Sequence, residues 1–200
     1  ELRKLADLVN AGDATVSGSE ICFQLTEDIT LTSAWTPIGT EEHPFQGAFD
    51  GQYHTISGLS IGSQEVPVVA GYQGLFGYST GALKNLTVCG QVYSTGLYVG
   101  GIVGYHQKSS TYSTNLTFGT EDSNDVVSGG NFVGGVAGYF QGKSDSDNQI
   151  TAANHGAIFG VDAVGCIYGA RNGTDRYSTY TNTGVVSATG ECVGGIIGTL

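Results

Sequence analysis

Val99-Gly100-Gly101-Ile102-Val103-Gly104 is the stretch on which the fold turns, because the chain repeats it. Its last four residues recur as Gly74-Leu75-Phe76-Gly77, Gly135-Val136-Ala137-Gly138, Cys166-Ile167-Tyr168-Gly169 and Gly195-Ile196-Ile197-Gly198. The starts lie 27, 34, 31 and 29 residues apart, and four of the five versions carry Val-Gly just ahead. A period near 30 with small drift is the mark of a solenoid, whose units cannot bury an apolar face alone and must stack on their neighbours.

Working outward, a second element precedes each Val-Gly. Counting back seven residues pairs Val92, Val126 and Val186, with Ile158 in the same role at six, so four units share an inward strand. Asn154-His155-Gly156 and Asn182-Thr183-Gly184 precede it in two units and predict turns at left-handed Asn or Gly. Further upstream, Ile21, Phe23 and Leu25, then Ile29 and Leu31, then Ile56, Leu59 and Ile61 alternate as short strands. Residues Glu1–Ala11 instead place Leu2, Leu5, Leu8 and Val9 at helical spacing before Gly12, predicting a helix that caps the first coil. The polar stretches Ser109–Ser123 and Gly142–Thr151 read as loops.

The expected fold is all-β: one right-handed parallel β-helix of about six coils, with helix 1–11, leading coils 20–70 and Gly-rich repeats 71–200. At ~4.8 Å per coil such a rod is about 30 Å long. The stretch begins at Glu1 rather than Met and ends on a fresh repeat phrase, so further domains of the same, longer chain are expected.

Composition agrees. Of 200 residues 33 are Gly and 3 are Pro, which excludes collagen and requires bends at fixed spacing. Seven Lys and Arg face 18 Asp and Glu, and the net charge of −11 disfavours nucleic acid and anionic membranes as partners. No run of 18 apolar residues is present, so direct membrane insertion is not expected. The four cysteines, Cys22, Cys89, Cys166 and Cys192, have neither zinc-site nor disulfide-scaffold spacing and read as free thiols. Cys166 and Cys192 fall three positions apart in adjacent coils, roughly 10 Å and too far to bridge.

Trp35-Thr36-Pro37-Ile38-Gly39, then Pro44-Phe45-Gln46-Gly47-Ala48-Phe49-Asp50-Gly51-Gln52-Tyr53-His54-Thr55-Ile56-Ser57-Gly58-Leu59, then Gly74-Leu75-Phe76-Gly77 and the Val-Gly-Gly-Ile phrases resemble the GLUG-motif repeat proteins of bacterial surfaces. The resemblance runs from about Glu20 to Leu200, with Cys166 replacing a motif Gly and no Asn-x-Gly turn near Asp122–Val126. It implies a β-helix-like solenoid on secreted or wall-attached proteins, also found in non-catalytic regions of immunoglobulin-cleaving zinc peptidases.

The chemistry expected is that of a non-enzyme without cofactor or metal. His43, His54, His106 and His155 are scattered and form no zinc-peptidase pair, and no Gly-x-Ser-x-Gly elbow is present. Asp50, Asp122, Asp125, Asp145 and Asp147 are the acids a β-helix glycosidase or lyase would draw on. Asp145-Ser146-Asp147-Asn148 clusters oxygen ligands suited to calcium but lacks the EF-hand spacing. Tyr78, Tyr105 and Tyr139 each follow the last Gly of a phrase and would stack into a strip roughly 10 Å long that could take a sugar ring or a partner's apolar patch. Tyr98 and Phe132 form a shorter pair, and the strip stops at Ala170 and Thr199. The expected function is therefore an extracellular module acting in adhesion, ligand binding or spacing, with a host or matrix glycan or protein as partner. Two alternatives are a carbohydrate-active β-helix or glycan-binding accessory domain, and the non-catalytic region of a secreted peptidase.

Overall fold

The computed structural model describes residues 1–107, 113–121, 124–142, 149–173 and 177–200. The chain winds as a parallel β-solenoid in which a full rung carries four short strands, for example Ile150–Asn154, Ala157–Gly160, Asp162–Gly165 and Tyr168–Asn172. Among the described residues, strands stack in three sheets of eleven, four and five members. The eleven-stranded sheet holds two columns joined by Leu83–Tyr93, which is long enough to serve both. One column stacks Cys22–Gln24, Ala48–Asp50, Leu83–Tyr93, Thr114–Phe118, Ile150–Asn154 and Ser178–Asn182, all in parallel. The five-stranded sheet, Phe76–Ser79, Val103–His106, Ala137–Gln141, Tyr168–Asn172 and Ile197–Thr199, holds the Gly phrases and gives about five complete turns. The leading coil joins it through isolated bridges, Ile38 to Phe76 and Phe45 to Ser79.

Identical positions stack inward. Val92, Val127 and Ile158 form one line, and Val99, Val133 and Val164 another, all fully buried. Each such side chain contributes about 1.5–3 kcal/mol of burial. Val127 takes the inward place expected of Val126, because the corner from Val127 to Val133 is one residue shorter than that from Val92 to Val99. The expected loops are corrected too. Thr114–Phe118 and the start of Ile150–Asn154 are strands whose Leu116, Phe118, Ile150 and Ala152 enter the core while polar neighbours face out.

Why glycine ends every phrase is visible at Gly138. A methyl group there would lie 2.6 Å from both the Phe132 carbonyl oxygen and the Tyr98 carbonyl carbon. The fourth strand of each rung thus runs backbone to backbone against the third. The third strand enters through a left-handed residue: φ is 56° at Tyr72, 59° at Tyr98, 58° at Phe132, 51° at Ala163 and 58° at Cys192. Such a conformation costs a non-Gly residue roughly 1–2 kcal/mol, so the close approach is maintained against local strain.

The turns at Asn154 and Asn182 form where expected but without left-handed residues. Each Asn side chain instead donates to the Gly carbonyl two residues on, and Asn154 also donates to Asn182 on the next rung at 2.8 Å. Where the Asn-x-Gly turn is missing, buried Asp125 closes the corner by accepting from the Gly90 and Thr120 N–H groups.

The helix spans Leu2–Asn10 and buries Leu2, Ala6 and Val9 against the leading coil. Arg3 donates to the Ser33 and Ala34 carbonyls with its guanidinium 5.4 Å from the Trp35 ring, and Asn10 bonds both Pro37 and Gly39. Among the described residues no helix is long and apolar enough to cross a membrane. All four cysteines are free thiols, Cys22 and Cys192 exposed and Cys166 buried.

Candidate functional site: the aromatic corner

Tyr78, Tyr105 and Tyr139 are Cα partners in the five-stranded sheet, and their rings stack at 4.8 and 4.6 Å with interplanar angles of 22° and 11°. A second stack runs beside them through Tyr72, Tyr98 and Phe132, at 5.3 and 5.0 Å and 20° and 15°. The two interlock edge to face: Tyr98 meets Tyr105 at 5.0 Å and 86°, and Tyr72 meets Tyr105 at 6.1 Å and 75°. Six half-buried rings therefore line one corner of the solenoid across three rungs. The second stack stands on the left-handed residues, and pairwise stacking of about 0.5–1.5 kcal/mol per contact offsets that strain.

Stacking along the solenoid axis turns ring faces toward one another. The surface shown to solvent is consequently one of ring edges and hydroxyls. Tyr78 Oη donates to Gln107 Oε1 at 2.9 Å, and the Tyr72 hydroxyl bonds Glu41. Burial, reinforced by neighbouring phenols, pushes the Tyr105 hydroxyl up to about 12. Burial and then the Glu41 charge raise Tyr72 and Tyr78 as well, so these phenols stay protonated and able to donate.

Tyr72 is the ring that sequence reading missed. Its unit has a single Gly where the next has Gly100-Gly101, which displaces Tyr72 by one position when phrases are aligned. The usable signal was the aromatic-x-Gly triplet, Tyr72-Gln73-Gly74 beside Tyr98-Val99-Gly100 and Phe132-Val133-Gly134, which the bridge of Gln73 to Val99 puts in register.

The candidate carboxylates do other work. Asp50 is buried and accepts from the Gln52 N–H and Asn85 Nδ2, both at 3.0 Å, with Lys84 Nζ 3.3 Å away. Burial opposes its charge, but Asn85, Gln52 and Lys84 together outweigh it and hold the carboxyl below its usual range. Asn115 donates to Asn85 in turn, extending a hydrogen-bonded ladder over three rungs. Asp125 closes a corner as described above. Asp122, Asp145 and Asp147, with the expected calcium run Asp145–Asn148, lie outside the described residues. The histidines are dispersed: His54 bonds Asp28, His155 bonds Thr183, and His106 is in the core beside Ser113. Among the described residues no group of three or more His, Cys, Asp or Glu is placed to hold a metal ion.

No protein-family model and no curated protein matches the chain. A crystal structure from Bacteroides ovatus, named "putative immunoglobulin A1 protease" and determined at 1.30 Å resolution, is similar over 94% of this chain and 81% of its own, with 18% identity and a TM-score of 0.37.

Proposed function

We propose that this solenoid is a non-enzymatic, extracellular repeat module of a bacterial surface protein that contacts a host or matrix glycan or protein along its aromatic corner. The observation carrying the reading is the pair of interlocked ring stacks. Buried strands alone would stabilise the rungs, yet six aromatic side chains stand half-exposed in two unbroken rows. Aromatic residues with a hydroxyl at the wet edge are the side chains most enriched in recognition surfaces. The acidic surface with few Lys and Arg and the GLUG-like phrases support an extracellular setting.

The test is binding of the soluble chain to an array of glycans and matrix proteins, beside a Tyr78→Ala, Tyr105→Ala, Tyr139→Ala variant with intact parallel β-structure by circular dichroism. Binding lost in the variant is expected. Binding to nothing on the array would assign the solenoid the role of a spacer.

A further inference from the structure

On a different face, the described structure contains a concavity of about 550 Å³ beside the column of Val126–Ser128. Ser128 is the Cα partner of Tyr93 on one neighbouring rung and of Phe159 on the other. Because Val127 is fully buried, Ser128 and its two partners form an outward row reading aromatic, small, aromatic. Tyr93 and Phe159 are two rungs apart, about 10 Å at ~4.8 Å per rung. In the filled stacks of this same protein, consecutive rings sit 4.6–5.3 Å apart. The row therefore has the spacing of a three-ring ladder with its middle ring missing.

From this we infer that the gap between Tyr93 and Phe159 is a binding site for one neutral pyranose unit of a glycan. This goes beyond the aromatic-corner reading and uses none of its residues. The gap has the thickness of one ring, and a pyranose offers a C–H face to each wall. Its floor is backbone: Gly129 and Gly130 carry no side chain, and a methyl on Gly130 would lie 2.6 Å from the Thr95 carbonyl. Around that floor stand neutral hydrogen-bonding groups, Ser128, Thr95 and Gln64, matched to the hydroxyls on a sugar's rim. No charged side chain lines the concavity among the described residues, so a uronate, phosphate or amine would lose its hydration without gaining a counterion. A purely aromatic guest would stack equally well but leave those three polar groups unmatched. Phe159 remains 41% exposed and Val161 46%, apolar surface that a bound sugar would cover. The volume falls within the common range for small-ligand sites, roughly 300–1,000 Å³.

The experiment is saturation-transfer NMR on the whole chain with neutral methyl glycosides of glucose, galactose, mannose and N-acetylglucosamine and their short oligosaccharides, beside N-acetyltyrosinamide and glucuronate. Transfer to the ring protons of at least one neutral sugar is expected, with affinity reduced at least about tenfold in Phe159→Ala and Tyr93→Ala. Ser128→Tyr, which supplies the missing ring without removing any core contact, is expected to block the sugar while leaving the thermal transition intact or raised. The triple Tyr variant of the aromatic corner is expected to bind as well as the parent. No transfer to any neutral sugar, transfer to glucuronate or N-acetyltyrosinamide alone, or full binding by Ser128→Tyr would overturn the inference. Loss of sugar binding in the corner variant alone would overturn it and favour the corner instead.

Discussion

Gly101 lies flat against Phe118: a methyl group on the glycine would overlap the Cδ2 and Cε2 atoms of that ring. The relationship repeats with changing partners. Phe118, Asn154 and Asn182 are successive Cα partners in the first column, and they face Gly101, Gly135 and Cys166 in turn. The largest inward residue thus meets Gly, whereas half-buried Asn182 is a hydrogen-bonding neighbour of the Cys166 sulfur.

Gly101→Ala is accordingly expected to cost about 2–3 kcal/mol, the usual effect of overpacking a filled core. The tightest overlap is with a side chain, so shortening that side chain relieves part of the clash, while the Gly135 carbonyl oxygen 2.5 Å from the methyl stays in place. In a Phe118→Leu background the same alanine should cost about 1 kcal/mol less, a coupling read directly from urea unfolding of the four chains in a double-mutant cycle. Equal costs in both backgrounds would refute the pairing.

Gly138→Ala is the contrasting case. Its added methyl would meet backbone atoms of Tyr98, Val99 and Phe132, and no side-chain change elsewhere makes room. We expect a loss of about 3 kcal/mol or more, beyond that of Gly101→Ala and without rescue by Phe118→Leu. Urea midpoints at unchanged slope would measure it.

Those two glycines show what could be read from the chain. The four-residue phrase marks where backbone meets backbone, so the stacked rungs, the turns at Asn154 and Asn182 and the first tyrosine ladder were all legible. The second ladder was only partly so. Left-handed φ is favoured by Gly and Asn, and nothing local marks Tyr72, Tyr98 and Phe132 as adopting it. That conformation is imposed by the neighbouring strand. Val127 rather than Val126 points inward because two adjacent corners, Val127 to Val133 and Ile158 to Val164, are a residue shorter than the corners on either side, a matter of counting rather than of chemistry. The strand Thr114–Phe118 was hidden because its outward residues are polar and only Leu116 and Phe118 are buried. The gap beside Ser128 could not be found at all without knowing which residues of adjacent rungs are partners.

Tyr105 contacts four other rings, two face to face and two edge to face. Tyr105→Ala should therefore lower stability by about 3 kcal/mol, the range for truncating a packed aromatic, while Tyr105→Phe keeps the ring and should cost under about 1 kcal/mol. Thermal unfolding of the two variants separates the contribution of the ring from that of the hydroxyl. Similar losses in both would assign the stabilisation to the hydroxyl.

Thiol chemistry should divide the cysteines into two pairs. Cys22 and Cys192 are exposed, whereas Cys166 is buried, and burial followed by the Asp125 charge pushes Cys89 up to about 11. Since the thiolate is the reactive form, a chromogenic disulfide at pH 8 should modify two thiols quickly in the native chain and the other two only on unfolding. Mass mapping should find the early labels on Cys22 and Cys192. Early labelling of Cys89 would contradict the packing of its strand.

His106 makes stability depend on pH. Its ring is enclosed in the core, stacked on Phe140 at 4.8 Å, with Ser113 Oγ 3.3 Å from Nε2, and burial pushes its pKa down from 6.5 to about 4. A base whose folded pKa is lowered is neutral when folded and protonated when unfolded across the interval between the two values. The unfolded chain therefore holds the extra proton there, and stability falls as pH drops from about 6.5 toward about 4, by about 3 kcal/mol in all. Asp50, held below its usual range, adds its own loss only at lower pH. His106→Phe removes the titrating group while keeping a stacked ring over Phe140, and Ser113 still accepts from the Leu83 N–H at 3.0 Å. Unfolding free energies at pH 7 and pH 4.5 should differ by a couple of kcal/mol in the parent and by much less in His106→Phe. An equal slope in the two chains would place the acid sensitivity in other groups and take His106 out of the core.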